Sequence, residues 1–400
     1  MRPHFSILAT TLAFLSAISL PTIWVHPSKA ETTDNLMISP IATEHLAGEL
    51  ETVATFSGPM PAGVTVSDNG RIFVTFPRWG DEVPFTVGEV VDGEAIAYPS
   101  SEINEPEGAA AESLVSVQSV VVAPNNWLWA LDAARIEFGE PPENGPKLVA
   151  IDLATNEVVK TILLPTDVAM PTSYLNDVRF DLQRGESGIA YITDSSTVGD
   201  NGLIVVDLAS GNSWRRLHQH SSTLPEPNFT PIVESEALLN RSAAGETSHM
   251  TIGADGIAIS ADGSRLFYRV LSGRHLYSID ANLLSDPAAT DEDIIATIED
   301  HGDLGFASDG LEANTADQLY LTNYEDNSIM LRQPDGSLET LVHNPSALWP
   351  DTLSLASNGY LYFISNQLHR QPGFNYGEDM RQKPYALYRV RTDAEPVRLR

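Results

Sequence analysis

Five of six equivalent places in this sequence, each at the start of a short apolar run, carry amides or carboxylates. They are Gln118, the pair Asn176-Asp177, Asp255, Asp309 and Asp351, with Ala62-Gly63 holding the sixth position without a polar side chain. Brought to a common point, these carboxylates would repel one another unless a hard cation lay among them or raised pKa values kept some of them protonated. The first arrangement binds a cation, and the second supplies a general acid beside a general base. A local role competes with both. Asp or Asn ahead of Gly also caps turns by accepting backbone N–H bonds, and Asp255-Gly256 and Asp309-Gly310 fit that role as well.

A repeat brings the six places together. An apolar strand, a turn rich in Asp, Asn or Gly, and a second strand carrying an aromatic recur as GVTVSDNGRIFVTF from Gly63, VQSVVVAPNNWLWALD from Val117 and NDVRFDLQRGESGIAYITD from Asn176. Three further copies are DGIAISADGSRLFYRV from Asp255, DGLEANTADQLYLTN from Asp309 and DTLSLASNGYLYFIS from Asp351. Their starts lie roughly 40 to 80 residues apart, which is blade spacing with insertions. The expected fold is all-β, a six-bladed β-propeller, because a two-sheet sandwich does not repeat one strand-turn-strand unit six times. Outer strands lie between the repeats, as in KLVAIDLATNEVVKTILL from Lys147 and GLIVVDLASGNSWRRL from Gly202. Residues at the starts of innermost strands then converge on one end of the central channel. The stretches 100–113 and 225–249 read as long loops over one face, where function tends to collect.

Composition narrows the partners. With 54 acidic against 23 basic residues, the formal charge is −31, which repels nucleic acid and anionic lipid surfaces and favours solubility. Arg2 and His4 precede the apolar run Phe5–Val25 and the small-residue site Ser28-Lys29-Ala30, the pattern of an export signal over residues 1–30 cleaved after Ala30. The competing reading is an N-terminal membrane anchor, since the run is long for a signal core. There is no cysteine, so the exported protein holds together without disulfides, and a bacterial periplasm or medium suits it better than a eukaryotic secretory route. The expected mature chain, 31–400, is one propeller domain acting as a monomer on a small molecule, with no membrane contact after cleavage. G-x-S-x-G, H-E-x-x-H, P-loop, G-x-G-x-x-G and C-x-x-C signatures are absent, which leaves serine hydrolase, zincin and nucleotide chemistry without support.

The segments FVTFPRWGDEVPFTVGEV from Phe73, VSVQSVVVAPNNWLWALD from Val115, SYLNDVRFD, GLIVVDLASGNSWRRL and GIAISADGSRLFYRVLSGRHLYSI resemble the major royal jelly protein/yellow family over nearly the whole mature chain. The resemblance implies an extracellular six-bladed propeller without implying a single activity, since members include nutritive proteins, amine-binding salivary proteins and pigment proteins linked to dopachrome conversion. The Asn176-Asp177 pair looks more like the lactonase branch, the gluconolactonases and regucalcin. That branch implies a divalent cation, calcium foremost, held by a first-blade Glu, middle-blade Asn side chains and a later Asp. By position Asn176, Asp255 and Asp309 would be the ligands, with Asp309 and Asp255 also the acid/base groups of a lactone hydrolase or quinone-type isomerase. Ala62 stands where the Glu would be, which favours a binding protein. Asp177 and Asp351 join the same mouth, and His249 is a further candidate base or ligand. In amine-binding relatives the region of Thr322, Asn323 and Glu325 contacts the ligand, and an acidic pocket suits a cationic amine. Arg78, Trp79, His369 and Arg370 are rim residues or partners of the many carboxylates.

Overall fold

Each repeat folds as an antiparallel hairpin, and two more strands extend it outward into a four-stranded sheet. The computed structural model describes residues 46–106 and 108–400; the export signal expected over residues 1–30 lies outside them. Six such sheets form the blades of a β-propeller. Blade 1 runs outward through Val64–Val66, Ile72–Thr75, Val87–Val91 and Glu94–Ala97. Blade 2 comprises Val117–Val122, Trp127–Asp132, Lys147–Asp152 and Glu157–Leu163, and blade 3 Leu175–Asp181, Ile189–Asp194, Gly202–Asp207 and Ser213–Arg216. Blade 4 comprises Ala254–Ile259, Arg265–Val270, His275–Asp280 and Glu299–Asp303. Blade 5 comprises Leu311–Ala313, Leu319–Asn323, Ser328–Arg332 and Leu338–His343. Blade 6 takes Pro350–Leu355, Tyr360–Ser365 and Tyr385–Arg391 from the end of the chain and its outermost strand, Leu50–Phe56, from the beginning. Leu50 pairs with Val390 and Phe56 with Tyr385, which closes the ring.

Blades packed face to face explain why the inner strands are apolar throughout rather than alternating. Ile189–Asp194 is buried at every position, whereas the outer strand Glu157–Leu163 is mostly exposed. Between blades 2 and 3, Trp129 stacks on Phe180 at 5.2 Å, and truncating either ring would cost about 3–5 kcal/mol. Among the described residues no helix is long and apolar enough to cross a membrane.

The two long insertions have separate fates. Asn104, buried within 100–113, accepts from Thr86 N and Val87 N and donates to the Tyr98 and Ser100 carbonyls, so this stretch is fastened to blade 1. The stretch 225–249 is not a plain loop. It forms two small hairpins, Ile232–Val233 with Glu236–Ala237 and Asn240–Arg241 with Thr247–Ser248. From the first hairpin Glu234 reaches His369 at 2.7 Å and Arg370 at 2.9 Å, clasping the insertion to the blade 6 loop over the mouth.

Candidate functional site

A repeated irregularity aims the site residues. Pairing of the innermost strand slips between Val117 and Ser119 in blade 2, Leu175 and Val178 in blade 3, Ala254 and Ile257 in blade 4, and Pro350 and Leu353 in blade 6. Such bulges turn side chains out of the ladder. Here the residues released are Gln118, Asn176-Asp177, Asp255 and Asp351, and all line the channel. Asp309 joins them from the loop before Leu311–Ala313. Blade 1 pairs regularly and offers only Ala62 and Gly63.

The glycines beside these residues serve the packing of neighbouring blades. A Cβ on Gly256 would collide with the Asp309 carbonyl oxygen, and one on Gly310 with that of Asp351. Adjacent inner strands therefore approach backbone to backbone, and Asp255 and Asp309 are not turn caps. The local amides are held by a threonine from the second strand. Thr322 Oγ1 accepts from Asp309 N at 2.9 Å and Gly310 N at 3.0 Å. Thr193 accepts from Asp177 N and donates to the Asp255 carbonyl, and Thr75 links Gly63 N to the Gln118 carbonyl in the same way.

Freed from capping, the carboxylates meet one another. Asp255 accepts from Asn176 Nδ2 at 2.5 Å and Ser195 Oγ at 3.0 Å, and Asp351 from Asn366 Nδ2 at 2.5 Å. Asp309 accepts from the Trp349 indole at 2.8 Å and takes side-chain hydrogen bonds from Asp255 and Asp351. Burial raises all three pKa values. Asp309 is pushed up to about 6, and Asp255 and Asp351, which also feel its charge, stand well above the ordinary carboxylate range. Asp309 is therefore the first of the three to ionise, accepting from the protonated Asp255 and Asp351. Trp349, buried with φ of 54°, holds a left-handed conformation that is costly for a bulky residue. Stacking on Tyr324 at 4.1 Å and its bond to Asp309 keep it there.

Above this floor lies a cavity of about 260 Å³ with aromatic walls from Trp79, Phe138, Tyr174 and Phe374. Trp79 and Phe138 stack at 5.7 Å with 17° between their planes. Phe138, Tyr174, Phe374 and Trp349 are not among the residues the sequence singles out. Phe138 sits in a proline-rich loop with no repeat signal, and Trp349 lies two residues ahead of a repeat start.

The remaining candidates divide. Asn176, Asp255, Asp309 and Asp351 face the cavity. Asp177 lies in the channel below, paired with Arg179 at 2.9 Å. Thr322 is fully buried in the role just given, and Asn323 accepts from Glu325 N. Glu325 is occupied by Arg274 and by the amides of Ile232 and Ala307. His249 bonds Thr230 and the Phe229 carbonyl instead of lining the cavity. Arg78 bridges the carbonyls of Val115, Val83 and Asn104, so of that pair only Trp79 reaches the mouth. Backbone donors and acceptors from distant loops claimed these side chains, and local sequence carries no sign of that.

In kind, the oxygen donors of Asn176, Asp255, Asp309 and Asp351 fit a hard divalent cation. As the side chains stand, no three His, Asp or Glu among the described residues are arranged to hold a metal ion. The protons shared within the cluster would have to leave first.

The sequence profile of the major royal jelly proteins matches residues 115–397. Protein yellow of Drosophila madeirensis is 27% identical over 244 residues, which cover 58% of this chain and 41% of that protein. The chain thus spans about two fifths of the length of the curated relatives it matches. Regucalcin of Agrobacterium tumefaciens, described as a calcium-binding protein, superposes with a TM-score of 0.54 at 11% identity, covering 87% of this chain and 98% of its own. A structure assigned as a gluconolactonase gives 0.54 at 10% identity, covering 88% of this chain and 99% of its own. At these identities the likeness is one of fold.

Proposed function

The chain belongs to the major royal jelly protein family, and on that premise we propose that its channel mouth binds a small organic cation, a protonated amine on a flat apolar body. One observation carries the reading: the carboxylate cluster of Asp255, Asp309 and Asp351 forms the floor of a cavity walled by aromatic rings. Carboxylates in a low-dielectric site recognise an ammonium, and ring faces stabilise both the cation and an apolar body. Amine binding is also among the activities the family resemblance implies. Residues 1–30 support export to the periplasm or medium as the setting.

A divalent cation, calcium foremost, is the competing occupant. The test is thermal unfolding of EDTA-treated protein with phenethylammonium, with neutral 2-phenylethanol, and with calcium, magnesium, manganese or zinc. A ligand at 100 times its Kd stabilises the native state by about 2.7 kcal/mol. A saturable rise in Tm with the ammonium and not the alcohol supports the proposal. No rise with the ammonium overturns it, and a rise with a metal alone hands the site to the metal.

A second reading rests on the unequal proton affinities in the cluster. Asp309, with a pKa near 6, has the character of a base, and Asp255 or Asp351 that of an acid. Such a pair suits proton transfer in a lactone hydrolase or quinone-type isomerase. Turnover of a lactone or quinone panel that disappears in Asp255→Asn is the outcome that would establish catalysis.

A further inference from the structure

Four side chains touch in series between the insertion and the acid floor. Glu234 accepts from His369 Nε2 at 2.7 Å, the His369 ring stacks on Trp349 at 5.8 Å with 17° between the planes, and the Trp349 indole donates to Asp309 Oδ2 at 2.8 Å. Arg370 holds the Glu234 carboxyl below its ordinary pKa, so Glu234 is a carboxylate that can only accept, and the His369 proton sits on Nε2. Burial keeps that ring neutral, and its Nδ1 is buried without a hydrogen-bond partner among the described residues. The bond to Glu234 is therefore the one hydrogen bond of the imidazole. The backbone beneath it is fixed separately, by Asn375 Nδ2 on the His369 carbonyl at 3.1 Å.

Left-handed backbone marks the same residues. Glu234 and Ser235 make the two-residue turn between Ile232–Val233 and Glu236–Ala237, with φ of 51° and 68°, where Asn and Gly are favoured. Gln367, which opens the turn Leu368–Arg370 that carries His369, has φ of 61°, and Trp349 has 54°. Non-glycine residues keep such angles only where their surroundings fix them, and they gather at functional sites. The hairpin itself is seated without Glu234, because Val233 and Leu238 are buried in one apolar cluster with Trp349 and Tyr324.

We infer that Glu234 is a positioning residue for the acid floor: from the insertion it holds the His369 ring against Trp349, and so keeps the indole N–H on Asp309. Neither Glu234 nor His369 lines the mouth cavity, so both act through Trp349, whether the cavity takes an organic cation or a metal. Asp309 faces Asp255, Asp351 and Asp177, and the indole is the donor that favours its charged form. Loosening the series makes Asp309 hold its proton more tightly. Removing the Glu234 charge by itself would do the reverse, so the sign separates positioning from a long-range field.

The experiment is a pH titration of the aspartate carboxyl carbons by NMR, with Asp309→Asn identifying the Asp309 resonance. In Trp349→Phe, which lacks the donor, Asp309 should bind its proton about tenfold more tightly, the lower end of the worth of a hydrogen bond to a charged group. Glu234→Ala should shift Asp309 in the same direction by about threefold, part of that bond's worth. Glu234→Gln, which still accepts from His369 Nε2, should stay within about twofold of wild type, since the acceptor and not the charge sets the ring. Glu234→Ala added to Trp349→Phe should produce no further shift, because the two act along one path. An Asp309 titration unmoved by Glu234→Ala, a shift of equal size in Glu234→Gln, or a full Glu234→Ala effect in the Trp349→Phe background overturns the inference and leaves Glu234 as a clasp of the insertion alone.

Discussion

Replacing Asp309 by Asn should leave the unliganded protein as stable as wild type or more so, while replacing its neighbour Thr322 by Val should weaken it at every pH. Burial raises the Asp309 pKa from an ordinary 3.8 to about 6. A carboxyl with a higher pKa in the folded state binds its proton more tightly there. Its contribution to stability is complete below the unfolded value and is lost as pH rises through the folded one. At about 1.4 kcal/mol per tenfold change in proton affinity, the penalty at pH 8 is about 3 kcal/mol. Asparagine has no such charge and still accepts from the Trp349 indole, so much of that penalty disappears. Thr322→Val leaves the buried N–H groups of Asp309 and Gly310 without an acceptor, at about 1–3 kcal/mol each. Urea unfolding at pH 5 and pH 8 measures both. Asp309→Asn should match or exceed wild type at pH 8, with a flatter pH dependence, and should lose ammonium affinity by tenfold or more, on the order of one charged hydrogen bond. A loss above about 1 kcal/mol at both pH values would mean that Asp309 is a structural residue after all.

Three further expectations follow from the same geometry. Lys147→Met strands Asp132, its partner at 2.6 Å in a pair that is almost wholly buried, and the urea midpoint should fall by the equivalent of about 3–5 kcal/mol. Phe138 is 47% exposed with φ of 58°, so Phe138→Ala should barely move Tm while weakening phenethylammonium by roughly 1 kcal/mol in titration calorimetry; unchanged affinity would remove Phe138 from the site. Because Asp255 and Asp351 keep their protons after Asp309 has ionised, cation binding should release about one proton, seen as a buffer-dependent binding enthalpy. The same enthalpy in buffers of different ionisation heat would contradict the shared-proton account of Asp255, Asp309 and Asp351.

The six apolar runs with Asx turns were enough to read the blades, because a repeat must meet the same packing problem at every copy. Position in the repeat is likewise enough to bring Asn176, Asp255, Asp309 and Asp351 to one mouth. The Asp-Gly pairs stayed ambiguous for a physical reason. The same dipeptide serves a turn and a close approach between strands, and only the neighbouring blade's carbonyl, at Asp309 or Asp351, decides between them. Glu325 illustrates the opposite failure. It lies in the turn just past the strand Leu319–Asn323, but Arg274, fifty-one residues earlier, takes its charge. Phe138 owes its place to a loop of prolines and left-handed residues, whose path no periodicity reports.

The strand Leu50–Phe56, paired at the far end of the chain, also fixes a sequence of events in time. Blades 1 to 5 can build from contiguous stretches as they emerge. Blade 6 gains its fourth strand only when Tyr385–Arg391 meets the strand made some 330 residues earlier, and closing so long a loop is entropically unfavourable before its contacts can repay it. Asp351 belongs to that last blade. The strand that closes the ring is thus the outermost of the blade whose innermost strand carries one of the three acids.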